Sequence, residues 1–203
     1  VVLDDLIDKI KLDAIALRCW NELEEQLHIS PCVLLSEMND RGITAACEVD
    51  VLNALAMQAL SLAADTPPTC LDWNNNYGDD DDKCILFHCG PTPKTLMSTP
   101  GMIEDHAILR NLVGEGCAVG CNVGRIKPMS CTISSMLTDS GKITGYIGEG
   151  KFTEDVIAAD FFGCAGVYHQ DNLQNMLAYI GRNGYRHHVS VVGGHVQDAV
   201  LEA

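Results

Sequence analysis

The sequence predicts an α+β protein in which the C-terminal end of a wound α/β domain, residues 1–66, precedes an antiparallel, β-barrel-like domain with a few helices, residues 67–203. Three observations predict this division. Short apolar strands alternate with helical patterns up to Ala64, the segment Thr66-Pro67-Pro68 interrupts any helix, and short strand-like runs separated by turn residues follow.

The elements of the first part follow from apolar patterns and capping residues. Residues 13–18 predict a short buried strand of the parallel kind, and residues 43–47 predict the next strand. Ser30-Pro31 is a typical helix start, with Ser30 as the cap. The alanine-rich run from Val49 to Ala64 predicts a helix that is buried on most sides. This order of elements is typical of the end of a wound α/β domain.

Strands dominate the second part of the sequence. A helix is predicted over residues 171–180, where Leu173, Met176, Leu177 and Ile180 follow the helical period. A strand at residues 187–192 and a short terminal helix end the chain. The other predicted strands cover residues 70–73, 83–89, 118–123, 130–138, 143–149 and 161–168.

Composition and charge exclude several classes of protein. Apolar residues make up 47% and charged residues 20% of the 203 residues, which excludes a disordered chain. The 28 acidic and 13 basic residues give a net charge of −15 without a Lys/Arg cluster, so we expect no nucleic-acid partner and no anionic membrane partner.

Location and redox state are predicted from the same composition. No apolar run approaches the roughly 18 residues of a membrane span and no signal peptide is recognisable, so a cytoplasmic protein is expected. The ten cysteines lie mostly in apolar stretches, which predicts buried, reduced thiols. The chain opens on Val1 in what resembles the middle of a fold, so we expect a fragment of a longer protein.

Two acidic residues are candidates for chemistry. Glu48 lies between a predicted strand and a predicted helix N-terminus, where unpaired N–H groups favour a carboxylate, so it is either a helix cap or a functional acid. Asp72 lies inside the apolar strand Leu71-Asp72-Trp73, and a buried acid needs a partner. That partner is either a functional group or the adjacent Asn74-Asn75-Asn76 loop.

Histidines lie in or beside several predicted strands. His88 shares a strand face with Leu86 and is either a hydrogen-bonded core residue or a ligand. His187 and His188 are adjacent, so in a strand only one of them points toward a given pocket. Carboxylates and histidines on separate strands form the ligand set expected of a divalent metal such as manganese, although their spacing does not show whether they converge.

Three other motifs are not expected to carry function. The acidic run Asp79 to Asp82 lacks the spacing and glycine of a calcium loop, so a solvated loop is predicted. Cys117 and Cys121 have the spacing of half a zinc site, but no second Cys/His pair follows at finger-like spacing. The run Gly145 to Gly150 is not followed by a predicted helix, which argues against a dinucleotide-binding loop.

The ordered segments of the chain resemble the C-terminal part of the L-fucose isomerase and L-arabinose isomerase superfamily, especially its fucose isomerase-like branch. The resemblance covers nearly the whole chain. Each segment is weakly specific by itself, and the ordered set is more specific. The segments are Ala16–Trp20, Asn39–Ile43, Ala46–Asp50, Leu71–Asn74, Phe87–Gly90 and His187–His195.

The resemblance implies a set of site residues. In this family a glutamate in an Ala/Cys-Glu-Gly-Asp motif is a metal ligand and an acid/base; it matches Glu48, although this chain has Val49 in place of the glycine. The second carboxylate matches Asp72, and a late histidine ligand matches His188. The arabinose branch adds a histidine that matches His88, which is then either a fourth ligand or a neighbour of the ligands.

The resemblance also implies a function. We expect an Mn²⁺-dependent aldose–ketose isomerase that acts on a small sugar through an enediol, with its site at the junction of the two domains. Relatives carry N-terminal domains and form symmetric homo-oligomers. Activity is expected to fall as pH drops through about 6.5, where an ordinary histidine becomes protonated. A non-catalytic carbohydrate-binding or assembly domain, and a structural zinc held by cysteines, remain the alternatives.

Overall fold

The fold is known from a computed structural model that describes residues 2–99 and 101–203. Its first part contains a two-stranded parallel sheet flanked by helices, as predicted. The two strands pair in register, with Ala14 opposite Thr44 and Ala16 opposite Ala46. The elements, in chain order, are α1 (Val2–Ile10), β1 (Ala14–Ala16), α2 (Glu22–Leu27), α3 (Cys32–Asp40), β2 (Thr44–Ala46) and α4 (Val51–Ala64).

Two capping residues differ from the sequence prediction. Ser30 does not cap α3, whose cap position is Pro31; the Ser30 hydroxyl instead donates to the buried carboxylate of Glu24, at 3.1 Å. Glu48 does not cap α4. That role belongs to Asp50, whose side chain accepts a hydrogen bond of 2.9 Å from the backbone N–H of Asn53. The carboxylate of Glu48 is therefore not used by the helix.

The second part is built around a closed antiparallel barrel of six strands. The six strands are β3 (Thr69–Tyr77), β4 (Asp80–His88), β7 (Met129–Asp139), β8 (Lys142–Phe152), β9 (Cys164–His169) and β10 (His188–Gly193). Their order around the barrel is β4-β3-β10-β7-β8-β9, and β9 pairs with β4 to close it. Closure removes the free edges that an open sheet would expose.

Two further strands extend the barrel beyond β9. β6 (Val119–Arg125) runs parallel to β9, and β5 (Met102–Asp105) pairs with β6 at the outer edge. The sequence prediction missed β5 and the short α5 (Arg110–Val113), because the four residues of β5 are largely exposed and show no alternation of apolar and polar side chains.

The acidic run Asp79 to Asp82 is exposed at its first three residues, as a solvated segment predicts, but it belongs to a hairpin and not to a loop. β3 and β4 form a hairpin that turns at Gly78 and Asp79, so residues 80–82 begin β4. Asp82 accepts a hydrogen bond of 3.3 Å from the backbone N–H of Leu173. Asp82 therefore helps to hold the start of the helix that begins at Leu173.

The barrel core is closed on one side by α6 (Leu173–Arg182), as its apolar period predicts. Leu173 and Ile180 are buried in the core, together with Leu71, Ile133 and Val189. The chain ends in α7 (Gln197–Glu202). None of the helices in the described parts of the chain combines the length and apolar character of a membrane span.

The junction of the two parts positions the candidate residues. α4 packs against β10, and the hydroxyl of Ser190 on β10 donates to the backbone carbonyl of Asn53 on α4, at 3.2 Å. β10 pairs with β3 so that His188 is directly opposite Asp72. The boundary near residue 66 stays a prediction.

Candidate active site

The predicted site residues come from one turn and three strands that meet at this junction. Glu48 lies in the turn between β2 and α4, Asp72 on β3, His88 at the end of β4 and His188 at the start of β10. Glu48, Asp72 and His88 line one cavity of about 290 Å³. Its other lining residues are Trp20, Phe87, Cys89, His106, Ile108 and His187.

His188 is the centre of the arrangement. Its Nε2 lies 3.5 Å from Oε2 of Glu48 and 3.6 Å from Oδ1 of Asp72. Its Nδ1 lies 2.9 Å from Oδ2 of Asp50, close enough for a hydrogen bond. In the neutral ring this contact places the proton on Nδ1 and turns the lone pair of Nε2 toward the two other carboxylates.

Two of the facing atoms have no hydrogen-bond partner among the described residues. They are Nε2 of His188 and Oδ1 of Asp72, and both are buried. Unpaired buried polar atoms are rare in native proteins and cost about 1–3 kcal/mol each. A divalent cation between them would satisfy both, because imidazole nitrogen and carboxylate oxygen are its usual ligands. The donor set therefore fits a metal ion.

The charges of the three groups are coupled. Burial raises the pKa of Asp72 to about 7. Burial opposes the charging of His188, but the hydrogen bond with Asp50 and the nearby carboxylates of Glu48 and Asp72 outweigh it and raise its pKa to about 10. The contact with His188, at 3.5 Å, lowers the pKa of Glu48. Without a cation the site therefore keeps a proton on His188 at neutral pH.

The backbone that carries Glu48 is strained. Glu48 and Val49 both have positive φ, 58° and 57°, immediately before α4. A non-glycine residue in this left-handed region costs about 1–2 kcal/mol, and a β-branched side chain is the least tolerated there. The position at which the family motif has glycine is thus one where glycine would relieve strain.

This strain predicts opposite effects for the same substitution at two nearby positions. We expect Val49→Gly to raise the free energy of unfolding by about 0.5–1 kcal/mol, because the relief of strain exceeds the greater flexibility of the unfolded chain. Val51→Gly, in the first turn of α4, should lower it by about 0.5–1 kcal/mol. Urea unfolding measures the free energy of both variants. Equal losses of stability in the two would contradict the backbone strain assigned to Val49.

His187 and His195 occupy different surroundings. His187 precedes β10 rather than lying in it, so strand alternation does not apply, and its Nε2 lies 3.7 Å from Oδ1 of Asp72. The prediction that only one of the adjacent histidines addresses the pocket is therefore wrong. His195 lies in another cavity, with Nδ1 3.8 Å from Glu149.

Two contributors to the site were missed by the sequence analysis. Asp50 had a signal, since a histidine ligand usually donates the N–H of its second ring nitrogen to a carboxylate, and Asp50 follows Glu48 closely. His106 had none, because it lies in the irregular segment after β5 and reaches the cavity only through tertiary folding.

Cysteine side chains lie next to the site, and Cys89 is one of the residues that line the cavity. All ten cysteines are free and nine are buried. Cys47, Cys89 and His88 place possible ligand atoms within 4.8 Å of one another. Contacts with neighbouring thiols and burial raise the pKa of Cys89 well above its usual value, so its thiol is protonated.

Comparison with known proteins agrees with the sequence resemblance. The family model for the L-fucose isomerase C-terminal domain matches residues 86–203, more than half of the chain. Sulfoquinovose isomerase from Priestia aryabhattai is 31% identical over 85 residues, 41% of this chain and 19% of that protein. Sulfoquinovose isomerase from Alkalicoccus urumqiensis is 30% identical over 87 residues, 42% of this chain and 19% of that protein.

The match is partial in length. The chain spans about a fifth of the curated relatives, 19% of each. The family match includes His88 and His188, whereas Glu48 and Asp72 precede it. On the extent of the match, the chain belongs to the family of L-fucose isomerase C-terminal domains.

Proposed function

We propose that the full-length protein is a metal-dependent aldose–ketose isomerase, with Mn²⁺ held by Glu48, Asp72 and His188. The observation that carries the proposal is that two buried atoms, Nε2 of His188 and Oδ1 of Asp72, face each other at 3.6 Å and have no hydrogen-bond partner among the described residues. The Glu48 carboxylate lies 3.5 Å from the same nitrogen. The family and the name of the relatives point to the same class of reaction.

The reaction requires the transfer of a proton between two neighbouring carbons of the sugar. A bound divalent cation would act as a Lewis acid toward the two sugar oxygens involved and so favour an enediol. One of the carboxylates Glu48 and Asp72 takes the carbon-bound proton, and the other moves the hydroxyl proton. Both line the cavity in which the sugar would lie.

The other residues hold and enclose these groups. Asp50 fixes the ring of His188 through Nδ1, while Trp20 and Phe87 supply the apolar part of the cavity wall. We propose that N-terminal domains of the full-length protein complete the sugar site within a symmetric homo-oligomer. A location in the cytoplasm belongs to the same proposal.

An isomerisation assay on the full-length protein tests this function. The protein is stripped of metal with a chelator, reloaded with Mn²⁺ and supplied with aldopentoses, 6-deoxyhexoses and sulfoquinovose, the last because the relatives are named for it. We expect ketose formation only after reloading, with solvent deuterium incorporated at the carbon that exchanges its proton. Sugar binding without conversion would instead favour the carbohydrate-binding alternative.

The contact between Asp50 and His188 predicts a positioning role. Asp50→Asn keeps an oxygen that can cap α4 but removes the charge beside Nδ1 of His188. We expect Mn²⁺ affinity to fall about 10–100-fold, and the metal-free protein to lose the stability that the Asp50–His188 contact contributes at neutral pH. Electron paramagnetic resonance titration of free Mn²⁺ measures the affinity. Asp65→Asn, at the exposed C-terminal end of the same helix, is the matched control and should bind Mn²⁺ like the wild type.

A further inference from the structure

Two histidines of the cavity share an orientation that His188 does not have. Nδ1 of His88 accepts a hydrogen bond of 2.8 Å from the backbone N–H of Cys89. Nδ1 of His106 accepts from the backbone N–H groups of Ile108 and Leu109, at 3.3 Å each. A ring nitrogen that accepts carries no proton, so the proton of each neutral ring is on Nε2. Both residues therefore present an N–H donor.

Neither donor is used within the described parts of the chain. Nε2 of His88 and Nε2 of His106 are buried without a hydrogen-bond partner, and each residue is only 1% exposed. Both residues line the cavity that also contains Glu48 and Asp72. Two buried donors without acceptors would cost about 1–3 kcal/mol each, so this wall suits a ligand that supplies acceptor oxygens.

The surrounding rings hold these donors in place. The ring of His106 packs against the rings of Trp20 and Phe162, with centroid distances of 5.8 and 5.1 Å. The ring of His88 lies 5.6 Å from that of His188. Donors fixed in this way lose little freedom when a ligand binds, which increases their contribution to affinity.

The backbone contact also limits what His88 can bind. A metal ligand must direct a lone pair at the ion, and in His188 the contact of Nδ1 with Asp50 leaves Nε2 free to do so. In His88 the lone pair is on Nδ1, where it accepts the hydrogen bond from the backbone N–H of Cys89, and Nε2 carries the proton. His88 is thus oriented as a donor and not as a ligand.

We propose that the Nε2–H groups of His88 and His106 donate hydrogen bonds to hydroxyl oxygens of the bound sugar, and that His88 does not ligate the metal. This inference rests on the proposed function, because it takes the ligand of the cavity to be a sugar. It assigns a sugar-binding wall to residues of this chain, in the same cavity as Glu48 and Asp72.

Nitrogen-15 NMR of histidine-labelled full-length protein tests the orientation without any variant. His88 and His106 should show the pattern of the Nε2–H tautomer in metal-free protein and keep it when Mg²⁺, a diamagnetic ion, is added. His88 with its proton on Nδ1 would overturn the proposal. Electron spin echo spectroscopy of the Mn²⁺-loaded protein should not detect nitrogen of His88 in the coordination sphere, so its signal should be unchanged in His88→Phe.

Variants of His106 test the sugar contact. The probes are ribitol, xylitol and galactitol, acyclic polyols that cannot isomerise, added to Mn²⁺-loaded full-length protein. We expect His106→Phe to weaken polyol binding about tenfold, the effect of one lost hydrogen bond, while Mn²⁺ affinity stays within about threefold. His106→Gln, which keeps an N–H donor at similar reach, should restore part of the polyol affinity.

The outcomes separate this inference from the proposed function. Mn²⁺ uptake and isomerisation together with unchanged polyol affinity in His106→Phe, or no polyol binding by the wild type, would overturn the inference alone. A fall in Mn²⁺ affinity of tenfold or more in His88→Phe would also overturn it. A protein that takes up no Mn²⁺ and isomerises no sugar would overturn the proposed function, and the inference with it.

Discussion

Replacing Glu48 by glutamine is expected to lower kcat for sugar isomerisation by about 10³-fold, because in the proposed function Glu48 is both a proton acceptor and a charged metal ligand. Glutamine has nearly the same size, and Glu48 is not the cap of α4, so the fold should remain. The measurement is ketose formation by the full-length protein at saturating Mn²⁺.

A matched control separates this effect from a general loss of negative charge. Glu149 has a side-chain exposure of 32%, close to the 34% of Glu48, and it also faces a histidine, at 3.8 Å, but in another cavity. Glu149→Gln should leave kcat within about twofold of the wild type, since a change far from the reacting atoms removes no transition-state interaction. Turnover by Glu48→Gln at a similar level would refute the assigned role.

Mn²⁺ affinity is expected to rise at least about 100-fold between pH 6 and pH 8, because metal binding must displace protons from the site. His188, with a pKa of about 10, is protonated throughout this range, and Asp72, with a pKa of about 7, is largely protonated at its lower end. One proton is therefore displaced at pH 8 and nearly two at pH 6. The pH range over which Mn²⁺ affinity changes therefore extends above the pH near 6.5 at which an ordinary histidine loses its proton.

Electron paramagnetic resonance titration across this range measures the effect. Asp72→Asn, which has no carboxyl proton to displace, should show the slope of a single proton, about tenfold per pH unit. Affinity that is the same at pH 6 and pH 8 would contradict the coupling of the two groups.

The same shifts predict how stability depends on pH. In metal-free protein the raised pKa of His188 contributes stability that is present below about 6.5 and lost as pH rises through about 10. The raised pKa of Asp72 likewise makes stability fall between about 4 and 7, because the folded state holds the proton more tightly. The gain in Tm on adding Mn²⁺ should therefore be larger at pH 8 than at pH 6.

The elements with clear periodicity could be predicted from the sequence. The helix over α6 and the strands of the barrel are confirmed, because apolar spacing and turn residues specify them locally. β5 was missed since its side chains are exposed, and the hairpin at Gly78 was missed since its acidic residues are atypical of strands. The pairing order that closes the barrel depends on contacts distant in sequence.

The site could be predicted only in part for the same reason. Glu48, Asp72, His88 and His188 were identified by residue type and by family resemblance, but their distances arise from the register that puts His188 opposite Asp72. The ring orientation of each histidine depends on a neighbour, Asp50 for His188 and the Cys89 N–H for His88. Such contacts are properties of the folded backbone and have no signature in spacing.

Anomalous scattering at the manganese edge, from crystals soaked in Mn²⁺, shows whether the three side chains hold one ion. We expect one strong peak within coordination distance of Glu48, Asp72 and Nε2 of His188, and none bonded to His88. A peak held by the thiols of Cys47 and Cys89, or no peak beside His188, would contradict it.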